Sequence, residues 1–213
     1  MIQWFGAGKV IAFEPMGENF ELLRRNRDLL GRDGRIRIFE VALGDVEGRG
    51  ELQVDDVVSG TAVLDRVTGG KPSEARMQRG LGPKTETVNI VPLDVLIERE
   101  ELPPPDFVKI DTEGAAGIVL QGGVQTIDRH APRLVVSLHN TEEAGSVVEQ
   151  LNGLGYACFG PVNEVASEAY RRLDAADARS INRKYDIVCS RVAEQVNQRV
   201  KPLRTVPPPA GRD

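Results

Sequence analysis

Glu14, Asp111, Glu113 and His139 stand at or just after the ends of short apolar runs, and their types and spacing point to a site. Lys9-Val-Ile-Ala-Phe-Glu-Pro15 holds an unbroken apolar run from Val10 to Phe13, as expected of a strand covered on both faces. Glu14 follows at its carboxyl end, where open α/β sheets place ligands. A carboxylate there can accept both hydroxyl protons of a ribose, which suits a nucleoside cofactor. A plainer role is also open, that of a strand-end acid capping the next turn. Asp106-Phe-Val-Lys-Ile-Asp111 repeats the pattern, with Glu113 two residues on. Asp111 and Glu113 suit a substrate hydroxyl, a divalent ion, or the N-terminus of a helix starting near Gly114. His139, with Asn140 beside it, follows the run Leu134 to Leu138. An imidazole at such an edge suits a general base near neutral pH, and equally a surface histidine entering a helix. His130, at a helix end, reads as a C-terminal cap stabilised by the dipole.

The elements that must position these groups alternate along the chain. Glu18 to Leu30 reads as a helix with Phe20, Leu23 and Leu30 on one face, broadened by Leu22 and Leu29, and Gly31 and Gly34 bracket its end. Ile36 to Leu43 reads as a second strand and Glu51 to Val54 as a short third. Residues 65 to 84 lack periodicity and read as an exposed loop, whose Lys71, Arg76, Arg79 and Lys84 suit a solvated surface more than an anionic substrate. Val88, Ile90 and Val91 suggest a strand stopped by Pro92, which opens a short helix from Leu93 to Arg99. Pro103-Pro-Pro105 is a stiff connector into the Asp111 strand. Ala116, Val119, Leu120, Val124 and Ile127 stripe one following helix. Ala144, Val147, Val148, Leu151 and Leu154 stripe another, ended by Gly155. Tyr156 to Phe159 and Tyr185 to Cys189 read as the last strands. Arg24-Arg25 and Arg171-Arg172 read as exposed helix faces. The tail from Lys201, with Pro207-Pro-Pro209, is expected to be disordered. Alternation of this kind argues for a parallel-rich α/β sheet flanked by helices.

Composition narrows the classes. The 213 residues suit one domain, and shares of 40% apolar and 28% charged residues are ordinary for a globular chain. A net charge of -5 gives no general attraction to nucleic acid or anionic membrane. No apolar run approaches a membrane span, and no export signal is read at the start, so a cytoplasmic location is expected. Cys158 and Cys189 lie on separate segments without metal-ligand spacing, which fits a reduced protein; no metal site is expected from them.

Several segments occur in a telling order. They are Ala12-Phe-Glu-Pro15 with Glu18-Asn19, Val41-Ala-Leu-Gly-Asp45, Ser59-Gly-Thr61, Leu93-Asp94 and Phe107-Val-Lys-Ile-Asp-Thr-Glu-Gly114. Over roughly residues 8 to 140, and more weakly to about 190, the chain resembles the FkbM-type S-adenosylmethionine-dependent methyltransferases. That resemblance implies the class I methyltransferase fold, Rossmann-like and mostly parallel, with helices on both faces and an antiparallel last strand. It also implies O-methylation of a hydroxyl on a sugar, polyketide or related small metabolite. By position, Glu14 resembles the ribose-binding acid, and Ala42 and Leu43 the turn against the adenine. Asp111 lies where the sheet faces the reacting methyl group and, with His139, is a catalytic candidate. Glu113, Ser59 and Thr61 are substrate-side candidates, although Ser59-Gly-Thr61 also suits a simple turn.

The chain departs from the family pattern at several points. The first strand and its Gly-rich loop are not seen ahead of Glu14, so a domain over residues 1–200 is expected to be incomplete at its N-terminus and to bind the cofactor weakly. Gly17 stands where Pro is usual, Pro92 where Thr is usual, Ala116 where an acid is usual and Ser137 where Glu is usual. Two lost acids leave a non-catalytic relic or interaction module as the alternative reading. A nicotinamide enzyme, which also grips ribose with a strand-end acid, is a third.

Overall fold

The structure, a computed structural model, describes residues 8–30, 34–55, 61–64, 74–161, 170–182 and 184–191. Eleven strands in these residues form three sheets. β1 (Val10–Phe13) and β2 (Ile36–Phe39) make a parallel pair. β3 (Ala42–Leu43), β4 (Gly48–Asp55), β5 (Thr61–Leu64) and β6 (Thr85–Val91) make a four-stranded sheet in the order β3-β6-β4-β5. β7 (Phe107–Ile110), β8 (Arg133–Leu138), β9 (Ala157–Pro161), β10 (Tyr170–Leu173) and β11 (Tyr185–Ser190) form the third, ordered β10-β9-β11-β8-β7. The helices are α1 (Gly17–Leu29), α2 (Glu74–Gln78), α3 (Leu93–Arg99), α4 (Ala116–Gly122), α5 (Val124–His130), α6 (Thr141–Gly153) and α7 (Ala175–Ser180).

The class is mixed α/β, and the expectation of one mostly parallel sheet is corrected. Only β1–β2, β3–β6 and β7–β8 pair in parallel, while β4, β9, β10 and β11 pair antiparallel with their neighbours. The single strand expected from Ile36 to Leu43 breaks after Phe39, because Ala42 and Leu43 leave β1 and pair with Ile90 and Val91 instead.

The main core lies where α6 covers β8. Leu134, Val136 and Leu138 alternate inward along the strand, and Ala144, Val147, Val148 and Leu151 recur at helical spacing opposite them, all fully buried. Each such Val or Leu contributes about 1.5–3 kcal/mol relative to exposure. α6 ends at Gly155, whose φ of 79° is left-handed, and Tyr156 N–H then returns to Leu151 O at 2.9 Å. The single helix expected from Ala116 to Ile127 is two, α4 and α5, meeting at Gly122-Gly123. Any side chain at Gly122 would run into the Gly44 carbonyl, so this glycine lets α4 touch the turn after β3. α1 forms as expected, yet buries no residue fully; Phe20 and Leu23 are half-buried while Leu29 is 85% exposed. Arg171 and Arg172 stand on β10 rather than a helix, and Arg171 holds the Asp177 carboxyl below the usual range from 2.7 Å. No helix of the described residues is long and apolar enough to cross a membrane.

Tyr185 opens β11 and donates its hydroxyl to Ala178 O at 3.0 Å, tying α7 to the sheet. Burial pushes this phenol up to about 12. Because the folded value exceeds the unfolded one of about 10, the contribution is complete below about pH 10 and disappears as the pH rises through 12. Urea unfolding of Tyr185→Phe is therefore expected to show a loss of about 1 kcal/mol at pH 7 and a shallower decline than the parent between pH 10 and 12. An equally steep alkaline decline in both proteins would contradict this role.

Candidate active site

β7 and β8 run side by side, so Asp111 and His139, each the first residue past its strand, emerge at the same edge. His139 Nε2 lies 3.1 Å from Asp111 Oδ1. Its Nδ1 is buried and 3.0 Å from Glu113 Oε2, but off the line of a hydrogen bond. The three side chains differ in access: Asp111 is 54% exposed, Glu113 29% and His139 11%. Asp111 is thus the member that can meet a substrate, and His139 the one that backs it.

The loop between β7 and α4 holds its carboxylates by an unusual backbone. Glu113 has φ 48° and Gly114 φ 105°, two left-handed residues in succession, with Ala115 N–H closing the turn onto Thr112 O at 3.2 Å. A left-handed non-glycine residue costs about 1–2 kcal/mol, and here that strain sits in the site itself. Thr112 Oγ1 is buried without a partner among the described residues.

Lysines flank the cluster. Lys184 Nζ lies 2.9 Å from Glu113 Oε2, and Lys109 Nζ 3.7 Å from Asp111 Oδ2. Lys109 also bonds Ser137 Oγ and lies 3.2 Å from Asp186, while Ser137 donates to the same Asp186 oxygen. Ser137, which stands where the family resemblance leads one to expect an acid, therefore faces an acid supplied by β11, since Asp186 is its register partner. Asp111, Glu113 and His139 each place one ligand atom within 4.8 Å of the others, a donor set suited to a divalent cation, although both lysines already lie against its carboxylates.

Glu143 was not read from the sequence as part of the site, yet it holds the site together. It is 8% exposed and lies in the first turn of α6. Oε1 accepts Ala116 N–H at 3.0 Å and Oε2 accepts His139 N–H at 2.8 Å, while Asn140 Oδ1 accepts Glu143 N–H at 2.8 Å. The signal was present as Asn140-x-x-Glu143, an N-terminal capping spacing ahead of an apolar stripe. Ala116, where an acid was expected, is fully buried beside it.

Glu14 follows β1, and its Oε1 accepts Met16 N–H at 2.9 Å, so the plainer turn-capping role is observed. A carboxylate has roughly four acceptor positions, and this contact uses one, which leaves room for a ribose diol. Met16 and Ala42 share a buried cluster with Ala115, and Leu43 packs against the cluster containing Ile110 and Ala116. The Glu14 turn, β3 and the Asp111–Gly114 loop therefore converge. Thr61 opens β5, on the opposite edge of the four-stranded sheet from Ala42 and Leu43, and Ser59 lies outside the described residues. His130 is the last residue of α5, a basic group in its final turn, and the C-cap position itself is Ala131.

Replacing one oxygen of Glu143 by nitrogen orphans a backbone N–H. Glu143→Gln is expected to destabilise the fold by about 1–3 kcal/mol in urea titration, with the loss of amide-exchange protection concentrated at Ala116 and His139. Unchanged protection at both amides would remove Glu143 from this role.

The family model for the methyltransferase FkbM domain matches residues 1–158. No curated protein matches. A solved crystal structure of methyltransferase FkbM from Methylobacillus flagellatus KT is similar at 17% identity with a TM-score of 0.47, over 85% of this chain and 36% of that one. This chain spans about a third of that protein's length.

Proposed function

Because the chain belongs to the FkbM methyltransferase family, we propose that it is an S-adenosylmethionine-dependent O-methyltransferase acting on a hydroxyl of a sugar, polyketide or related small metabolite. FkbM methyltransferases use S-adenosylmethionine. In this reading, residues 1–200 work as one class I methyltransferase-like domain. The parallel β7–β8 pair and the antiparallel β11 beside β8 support that arrangement.

The observation that carries the proposal is the exposed Asp111 carboxylate hydrogen-bonded to the enclosed His139 at the end of two parallel strands. The cofactor, when bound, supplies a methyl group that is already electrophilic on its sulfonium. What remains for the chain is to align the acceptor oxygen and to remove its proton, with alignment worth up to roughly 7–11 kcal/mol. Asp111 accepts the hydroxyl proton as the oxygen attacks, and His139 holds the carboxylate in place through Nε2. Glu113, paired with Lys184, places its carboxylate beside the other ring nitrogen of His139. Glu14 binds the ribose hydroxyls, and Ala42 and Leu43 lie against the adenine. No step in this scheme requires a metal ion.

Transfer of a labelled methyl group from S-adenosylmethionine to a panel of sugar and polyketide alcohols tests the proposal. Asp111→Asn is expected to lower kcat about 10²–10⁴-fold with little change in the KM for S-adenosylmethionine, and a chelator to leave the rate unchanged. Glu14→Gln is expected to raise that KM and spare kcat. Methylation of nitrogen or carbon acceptors alone, or a parental rate in Asp111→Asn, would overturn it.

A further inference from the structure

Two groups that methyl transfer does not use are the thiols. Cys158 and Cys189, distant in sequence, are direct register partners across the antiparallel β9–β11 pair. Both are fully buried, and their sulfurs lie 2.6 Å apart. Residues opposite one another in an antiparallel pair have Cα atoms about 4.5–5.5 Å apart, inside the range a disulfide spans without backbone movement. Ser190 and Ala157 on one side, and Val188 and Phe159 on the other, hold the register. Cys158 also faces Leu173 on β10 and Cys189 faces Leu134 on β8, so neither strand can slide without breaking a second ladder.

We propose that Cys158 and Cys189 form a disulfide modification site, at which a low-molecular-weight disulfide closes a covalent cross-link between β9 and β11. The step balances as two thiols and one glutathione disulfide giving one protein disulfide and two molecules of glutathione. One protein thiolate attacks a glutathione sulfur and expels the first glutathione. The second thiolate then attacks the protein sulfur of the mixed disulfide and expels the other, so two electrons and two protons pass to glutathione. Burial pushes the Cys189 thiol well up, so attack in the closed sheet is slow and exchange runs through local opening or during folding. Once closed, the same burial shields the bond from reductants. The site is independent of the methyl-transfer reading, because no residue of that site takes part.

The test uses the full chain with glutathione and glutathione disulfide in graded ratios, in native buffer and in denaturant. The native-buffer samples are refolded from denaturant to guarantee access, and every sample is then alkylated and weighed by mass spectrometry. Since the chain has two cysteines, the intended product is a monomer two hydrogens lighter that takes up no alkylating agent. The effective concentration of one thiol for the other is expected to be about 30- to 1000-fold higher in native buffer than in denaturant, the factor by which a native disulfide stabilises a fold. An equal or lower value in native buffer overturns the proposal, as does a product consisting of glutathione adducts or disulfide-linked dimers.

Discussion

A single buried carboxylate joins the two loops that make the site. Glu143 sits in the first turn of α6, where the helix dipole favours a negative charge, and it is shielded from water. Its two oxygens reach different segments: Ala116 at the start of α4 and His139 at the end of β8. Without it, two backbone donors would be enclosed without partners, each at about 1–3 kcal/mol. The same carboxylate accepts the backbone N–H of His139, whose side chain meets Asp111. The strand pair β7–β8 places the two residues at one edge, and Glu143 ties together the segments that follow both strands, at Ala116 and His139. The left-handed conformation of Glu113 fits the same picture, since a strained loop persists when both of its ends are held.

Charge in the site is balanced across strands rather than within a motif. Asp111, Glu113 and Asp186 face Lys109 and Lys184, and Ser137 bridges Lys109 to Asp186. A carboxylate missing at Ser137 is offset by one on β11 because antiparallel pairing puts Asp186 directly opposite. The lysine therefore keeps an acidic partner, and Asp111 keeps a cation beside it. Ser137, where the resemblance leads one to expect an acid, thus lies in an ordered charge network, and β11 borders the candidate site. The family likeness is shown by the sequence match over residues 1–158; the cross-strand pairing supplies Lys109 with an acidic partner from β11.

Much of this was legible in the sequence where one local signal dominated. The apolar runs of β1, β7 and β8, the stripe of α6 with Gly155, and Pro92 ahead of α3 all read correctly because neighbouring residues decide them. Asp111 and His139 were named from strand ends and Glu113 from the run after Asp111, and the three do come together. What was not legible depends on partners far along the chain. The break between β2 and β3 follows from the pull of β6, the sheet's antiparallel character from pairings across long separations, and the Asp186 partner of Ser137 from β11 register. Two signals were available and passed over, Gly122-Gly123 between α4 and α5 and the capping spacing Asn140-x-x-Glu143. The stripe on α1 misled because amphipathic spacing predicts a helix but not how deeply its face will be covered.

The two halves of the candidate site are anchored by different forces, and this bears on how each works. Asp111 and His139 are fixed by parallel strand hydrogen bonds and by a buried charge, both directional and short-ranged. Glu14 belongs to a two-stranded parallel pair, which has too little hydrogen bonding to stand alone. That pair is held mainly by apolar packing: Ile11, Phe13 and Phe39 lie against the cluster of Val91, Leu96 and Leu102, with Phe13 and Phe39 stacked at 5.7 Å. Polar ties add to it: Arg37 on β2 donates to Glu100 O at 2.9 Å and to the Glu100 carboxylate at 3.0 Å, and Gly17 N–H to Glu86 Oε1 at 2.9 Å sets the start of α1. Apolar contact tolerates small displacements that a charge-assisted hydrogen bond does not. Under the proposed function, a catalytic edge held by directional bonds beside a ribose-side ribbon held largely by packing would suit a transferase, which must hold the reacting atoms to a fraction of an ångström while admitting and releasing a large cofactor.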